Sequence, residues 1–251
     1  MKTVKKRADE LLLLTGLAAT RSQAQALIMA GEVFAGERGI RKAGEFWPED
    51  TVFSLTPRRR FVSRGGYKLE GALADLGVNP EGLAAIDIGA STGGFTDCLL
   101  AAGAARVTAV DVGRNLLDLR LRNDPRVTTV DGVNARHLAE HLPGGADFDL
   151  AVIDVSFISL ALILPQAARL LSPKGRILAM VKPQFEVGRE KVGKKGVVRN
   201  PADIAEAVDK VSALGPTLDP PFQESGRAYS RLTGPQGNQE VFVLFEVKES
   251  E

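Results

Sequence analysis

Five polar residues stand where five apolar runs of this chain end: Asp87, Asp111, Asp131, Asp154 and Lys182. Carboxylates gathered beside one amine can bind a polar ligand and move a proton. The stretch from Ala84 to Thr96, Ala-Ala-Ile-Asp-Ile-Gly-Ala-Ser-Thr-Gly-Gly-Phe-Thr, reads as a buried strand that turns through glycines into a helix, which makes a ligand cradle. Its spacing restricts the ligand. A dinucleotide fingerprint needs a second glycine where the backbone meets a pyrophosphate, and Ser91 stands there, after Gly89 and Ala90. A pyrophosphate is therefore disfavoured. Asp111 can accept both hydroxyls of a ribose, a task that an acid at this distance also performs for NAD. Asp131, followed by Gly132 and Asn134, is placed to meet an adenine ring, although an acid in that setting serves equally well as a plain turn residue.

These groups need a frame that brings them together. The apolar runs Ala84 to Ile88, Arg106 to Val110, Arg126 to Val130, Leu150 to Ile153 and Arg176 to Val181 alternate with helical stretches. That order predicts an α/β domain with a mostly parallel sheet, helices on both faces, and a ligand outside the carboxyl ends of the strands. Leu69, Ala72, Leu73 and Leu76 predict a helix from Gly66, with Lys68 near its first turn, where a cation opposes the macrodipole. Asn200 and Pro201 open a later helix as N-cap and first helical residue. Glu240 to Val247 alternates as a strand pairing with one around Gln223 to Tyr229, and the loop between them brings Glu240 to its base. Lys182 to Arg199 holds six Lys/Arg against two Asp/Glu and is expected to be a long structureless lid facing RNA.

Charge is uneven along the 251 residues, whose net charge is +1. Residues 1–66 carry twelve Lys/Arg against seven Asp/Glu, leaving twenty against twenty-four for the rest. A small basic domain over 1–60, a linker over 61–66 and a larger domain over 67–251 are expected. In the first, Arg7 to Thr15 and Ser22 to Ala30 predict short helices, and Val33 with Phe34, then Thr51 to Leu55, predict short strands. The segments Arg7-Ala-Asp-Glu-Leu-Leu and Thr20-Arg-Ser-Gln-Ala-Gln-Ala-Leu-Ile-Met-Ala-Gly-Glu-Val resemble the S-four type RNA-binding module. The resemblance implies phosphate contacts from Arg7, Arg21, Arg38, Arg41 and Lys42, extended by Arg58, Arg59, Arg60 and Arg64 beside the linker. A solvated charged face is the plainer alternative.

The lone Cys98 cannot form an internal disulfide and reads as a small buried hydrophobe. Lacking a signal-peptide core or a run of membrane-spanning length, the chain is expected to be cytoplasmic, with no membrane partner. His137 and His141 share a helix face, but no third ligand accompanies them, so no metal is expected. Phe157 and Phe185 flank the strand ends and can stack on an unpaired base or belong to the core.

Asp87, Gly89 and Gly93 resemble the first motif of Rossmann-like methyltransferases, in which the glycine turn packs against S-adenosylmethionine and the acid faces its amino group. More broadly, Ser63-Arg-Gly-Gly-Tyr-Lys-Leu, Asp87-Ile-Gly-Ala-Ser-Thr-Gly-Gly-Phe-Thr-Asp, Ile153-Asp-Val-Ser-Phe-Ile-Ser, Val181-Lys-Pro-Gln-Phe-Glu and Gly237-Asn-Gln-Glu resemble the TlyA (haemolysin-A-like) family of rRNA 2′-O-methyltransferases. The likeness runs over essentially the whole chain. It implies an S-adenosyl-L-methionine-dependent cytidine 2′-O-methyltransferase acting on ribosomal RNA in 16S and/or 23S, with a catalytic set of Lys68, Asp154, Lys182 and Glu240. Ala8 departs from the family, which usually has Leu there; this touches packing and not chemistry.

The implied set is chemically coherent. A ribose 2′-hydroxyl is a poor nucleophile, so a base that takes its proton assists attack on a sulfonium methyl. Lys182 can be that base only when unprotonated, and a neighbouring cation, Lys68, would favour that state. Asp154 and Glu240 are then left to orient, and Asp154 also to place the methionine end. Two other classes of function share parts of this pattern: a ribosome-binding assembly factor without turnover, and a membrane-active haemolysin, against which the lack of an apolar span counts.

Overall fold

The computed structural model of the chain describes residues 4–36, 38–55, 60–142 and 147–248. Two compact units divide it, Met1–Arg60 and Phe61–Glu251. In the first, β1 (Lys5–Arg7) leads into α1 (Ala8–Leu14) and α2 (Arg21–Met29), followed by β2 (Val33–Ala35), β3 (Arg38–Gly39), β4 (Phe46–Pro48) and β5 (Phe53–Leu55). Thr20 caps α2 by accepting the Gln23 amide at 3.1 Å. One antiparallel sheet pairs β1 with β4, and a second runs β3-β2-β5. Leu11, Leu12, Ala24, Ile28 and Val33 pack at its centre. The sequence showed no sign of β1, β3 and β4, because two or three residues are too few for alternation to register.

The second unit begins with α3 (Arg64–Asp75) and continues β6 (Ala84–Ile88), α4 (Gly94–Ala101), β7 (Arg106–Asp111), α5 (Leu119–Arg122), β8 (Val127–Asp131), α6 (Leu138–His141), β9 (Phe148–Ile153), α7 (Leu164–Ala168), β10 (Leu171–Val181), α8 (Pro183–Glu186), α9 (Pro201–Ser212), β11 (Phe222–Tyr229) and β12 (Val241–Val247). Its seven-stranded sheet has the order β11-β12-β10-β9-β6-β7-β8. Strands β6 to β10 run parallel to their neighbours, while β12 is antiparallel to both β10 and β11. The expected α/β sheet is thus present, with one reversed strand, β12, between β10 and the edge strand β11.

Period-two alternation sends successive side chains to opposite faces, and both faces are apolar because helices cover both. Ile86, Ile153, Ile177 and Val181 pack with Leu164, Val208 and Val211 on one face. Ala85, Val152 and Leu178 pack with Leu69, Leu73 and Leu99 on the other. Among the described residues no helix is long and apolar enough to cross a membrane.

Two expectations change. Residues 61–66 do not form a free linker: Phe61 is buried, Ser63 caps α3 by accepting the Gly65 amide, and the helix starts at Arg64. The stretch 182–199 is not structureless. Pro183 starts α8, a 3-10 turn covers Arg189–Lys191, and Asn238 clasps the rest, accepting the Val198 amide at 2.9 Å and donating to the Gly196 carbonyl at 2.8 Å. Close backbone contact joins α3 to α4, since a Cβ on Gly94 would lie 2.9 Å from the Gly66 amide nitrogen.

Candidate active site

A cleft of about 570 Å³ opens at the carboxyl edge of β6, β7 and β9. Its floor is the turn after β6, where Gly89 adopts φ +91° and Ser91 φ +50°. A Cβ on Gly89 would fall 2.4 Å from the Asp154 carbonyl oxygen, so the turn and the end of β9 approach as closely as backbones can. Asp111 accepts the Ser91 amide at 2.8 Å and the Gly113 amide at 2.7 Å. It binds the turn to β7 and keeps lone pairs for a ligand. Asn134 and Asp154 line the cleft, and Val112, Leu116, Val133 and Ile158 give it apolar walls.

The other residues expected around a cofactor stand behind this surface. Asp87 is fully buried and accepts both the Thr96 amide at 2.9 Å and the Thr96 hydroxyl at 2.7 Å. Its remaining oxygen is buried without a hydrogen-bond partner, and burial pushes the carboxyl up to about 7. Ala90 is buried and donates to the Val110 carbonyl. Gly93, at φ +97°, opens α4 where a Cβ would strike Leu121 at 2.4 Å. Asp131, expected beside an adenine, is engaged by protein donors. It accepts the Asn115 amide at 3.0 Å and the Arg122 guanidinium at 2.9 Å, which hold it below the usual carboxylate range. Gly132 lies behind it against Arg114.

Sheet register assembles the four residues of the implied catalytic set. Asp154 follows β9 and Lys182 follows the adjacent β10. Because β12 runs antiparallel, its last pairing with β10 is Val181 with Val241, so Lys182 and Glu240 face each other one step further on. From α3, Lys68 reaches Glu240 in a buried ion pair, the lysine 7% and the glutamate 1% exposed. Lys182 Nζ lies 2.6 Å from Asp154 Oδ1, off hydrogen-bond alignment, and donates to Ser156 Oγ at 2.8 Å. The expected division of labour is therefore corrected: the charge of Lys68 is met by Glu240, and each lysine has its own carboxylate.

At the rim, Phe157 is 88% exposed with φ +63°, and its ring centroid is 5.2 Å from that of Phe185. It is a solvent-facing aromatic, not core. His137 lies 3.6 Å from Glu140, and no group of three or more His, Cys, Asp or Glu converges as a metal site among the described residues. Spacing alone did not single out Ser156 or the walls Val112 and Leu116. Ser156 lies within Ile153-Asp-Val-Ser, and its place two residues after a strand-end acid was the available signal.

The arginines expected to meet RNA fall into different settings. Arg7 and Arg21 both pair with the buried Asp9, at 2.9 and 3.1 Å. Arg38 pairs with Glu45 and lies 4.8 Å over the Trp47 ring. Arg64 donates to the Thr233 carbonyl at 3.0 Å. Arg41 and Lys42 are exposed, and so is Arg60, while Arg58 and Arg59 lie outside the described residues.

The cleft suits a nucleoside with a cationic tail. Asp111 and Asp154, at the ends of the strands on either side of β6, outnumber the one cation of the lining, Arg136, and favour an ammonium or sulfonium over a polyphosphate, while the apolar walls accept a base. A family model for FtsJ-like methyltransferases matches residues 61–247. The chain belongs to this family. This FtsJ-like methyltransferase is 44% identical over 246 residues to YqxC of Bacillus subtilis, named as a candidate rRNA methyltransferase, covering 97% of this chain and 86% of that one. It is 42% identical to the 16S/23S rRNA (cytidine-2′-O)-methyltransferase TlyA of Mycobacterium tuberculosis, with coverage of 94% and 88%. A solved structure named as a candidate haemolysin from Streptococcus thermophilus superposes with TM-score 0.73 at 42% identity, covering 98% of this chain and 90% of that one.

Proposed function

We propose that this FtsJ-like methyltransferase methylates the 2′-hydroxyl of cytidine in ribosomal RNA, with S-adenosylmethionine as donor. The observation that carries the reading is the contact of Lys182 with Asp154, a residue that lines the carboxylate-bearing cleft, with the buried Lys68–Glu240 pair beyond the last pairing of β10 with β12. When bound, the donor supplies an electrophilic methyl group on a cationic sulfur. Asp111 would hold its ribose, Asp154 its amino-acid end, and the walls at Val112 and Leu116 its adenine. Asp87 supports them from below by fixing the start of α4 through Thr96.

In this reading Lys182 takes the hydroxyl proton. Lys182 donates to Ser156 at 2.8 Å and has Asp154 Oδ1 2.6 Å away, so these two neighbours fix where its nitrogen lies. Asp154 thus orients the base. Glu240 and Lys68 satisfy each other in the interior and fix the wall next to Lys182. Phe157 offers a face on which the target base can stack once it leaves its neighbours. Ribosomal RNA as the substrate class draws support from the names of the relatives and from the exposed cations Arg41 and Lys42 in the smaller unit.

The test is methyl transfer from tritiated S-adenosylmethionine to 30S and 50S particles that lack 2′-O-methylation, with the product nucleotide identified. Labelled 2′-O-methylcytidine in either particle is expected. Donor binding with no label in any ribosomal substrate would instead favour an assembly factor without turnover.

A further inference from the structure

Glu186 closes the short helix that Lys182 begins, and it is 5% exposed although it is a carboxylate. Such burial is costly unless the charge is met by donors. Its two oxygens are spent on one neighbouring turn: Oε2 accepts the Ser159 hydroxyl at 2.7 Å and Oε1 the Leu160 amide at 2.8 Å. On the other side, Lys210 of α9 donates to the Glu186 carbonyl at 2.8 Å and fastens α8 to the body of the sheet domain. Burial raises the carboxyl above its ordinary value, and the Leu160 amide, Ser159 hydroxyl and Lys210 charge oppose that rise.

The turn gripped in this way is also held by Leu160 and Ile158 in the core and by Ser159, which accepts the Ala161 amide at 3.2 Å, but these contacts lie at its far end. It carries Ser156, which accepts from Lys182, and Phe157, whose positive φ is unusual for an aromatic residue and whose ring is solvent-exposed beside Phe185. A non-glycine residue holds such a backbone only when its surroundings over-determine it. Phe185 and Glu186 are neighbours on α8, so the same short helix packs against the Phe157 ring and pins the far end of its turn.

We infer that Glu186 is a positioning residue, which locks the 156–160 turn so that Ser156 meets Lys182 and Phe157 presents its face to the substrate. The inference rests on the proposed RNA methylation only for what Phe157 presents its face to. Glu186 touches neither donor nor nucleotide; it acts through the turn. A glutamine can mimic the grip, accepting from Leu160 with its carbonyl and donating to Ser159 with its amide.

Glu186→Ala, Glu186→Gln and the native full-length chain are compared by amide hydrogen exchange and by steady-state methylation of ribosomal particles. In the alanine variant, exchange at residues 156–160 should quicken about tenfold while the β6 and β9 amides keep their protection. The kcat should fall about tenfold with particle binding held within about twofold, because phosphate contacts elsewhere dominate affinity. Glutamine should restore both readouts to within about threefold of native. Unchanged exchange at 156–160 overturns the inference, as does faster exchange with undiminished kcat. An alanine variant whose β6 and β9 amides also lose protection shows a general structural role and overturns it too. Native protein that methylates no ribosomal particle sinks the proposed substrate, while the exchange comparison still decides whether Glu186 locks the turn.

Discussion

Lys68 and Glu240, 172 residues apart, form a buried ion pair that joins α3 to the start of β12. A buried pair is weak support for stability when intact but costly to break, because the survivor is a charge without a partner. Lys68→Ala should therefore lower the unfolding free energy by about 3–5 kcal/mol. The double change Lys68→Met with Glu240→Leu should recover most of that loss while methyl transfer stays abolished. Urea denaturation and label incorporation on the same preparations separate the two effects. A double variant as active as the native protein would remove the pair from the chemistry.

Lys182 permits a sharper separation of charge from proton transfer. Lys182→Ala should reduce kcat by about 10²–10⁴-fold, the span usual for loss of a general base. Lys182→Arg puts a permanent cation beside Asp154, and a guanidinium does not give up its proton at any accessible pH, so it should be as inactive as alanine. Calorimetry with S-adenosylhomocysteine should show near-native affinity in both. Substantial turnover by the arginine variant would mean that Lys182 works as a charge and not as a base.

Much of this arrangement was legible in the sequence. The strand ends Asp111, Asp154 and Lys182 were visible because parallel strands put every carboxyl terminus on one edge, a property of the chain order alone. That Glu240 meets Lys68 was not readable from spacing, since it depends on β12 reversing direction and on the register Val181 to Val241. Asp131 shows the limit of spacing, because an acid followed by glycine looks the same whether or not an arginine pairs with it, and the Arg122 contact comes from the fold of the loop between them. Likewise, the glycine and charge content of 182–199 resembled a free loop, while the side chain that holds much of it, Asn238, lies outside that segment.

Gly89 is the position where the cleft tolerates least. A Cβ there meets the Asp154 carbonyl oxygen at 2.4 Å, on a backbone at φ +91° that side chains rarely adopt. Gly89→Ala should cost about 1–3 kcal/mol of stability through strain alone. It should also weaken S-adenosylhomocysteine binding by about tenfold or more, since relief of the clash must move the end of β9 and with it Asp154. Thermal melts with and without that ligand check both parts. A variant that melts as the native protein does and gains the same stabilisation from ligand would contradict them.

In the smaller unit, the cations divide into structural and free. Asp9 is fully buried, and the Arg7 and Arg21 guanidinium groups with Gln25 hold its carboxyl far below the ordinary range. Arg7→Ala should therefore act mainly on stability. Arg41→Ala with Lys42→Ala leaves folding unchanged and should weaken binding to ribosomal particles, reducing the slope of log K against log salt by about 1 for each phosphate no longer neutralised. Filter binding between low and moderate salt reads this directly. An unchanged slope would make these two residues a solvated face.

Asp87 gives the protein a pH dependence opposite to that of an acid paired with cations, such as Asp9. Its carboxyl is pushed up to about 7 from an ordinary value of 3.8, chiefly by burial, so the folded state holds a proton that the unfolded chain has released. Between those two values the folded form binds more protons than the unfolded one, and this contribution to stability declines as pH rises from about 4 to about 7, then levels off. A separation of roughly three pKa units corresponds to about 4 kcal/mol at most. Asp87→Asn keeps an acceptor for Thr96 and has nothing to titrate, so its stability should decline less over the same interval. Urea midpoints of both proteins at pH 5 and pH 8 make the comparison, and parallel declines would show that Asp87 is ionised throughout in the folded protein.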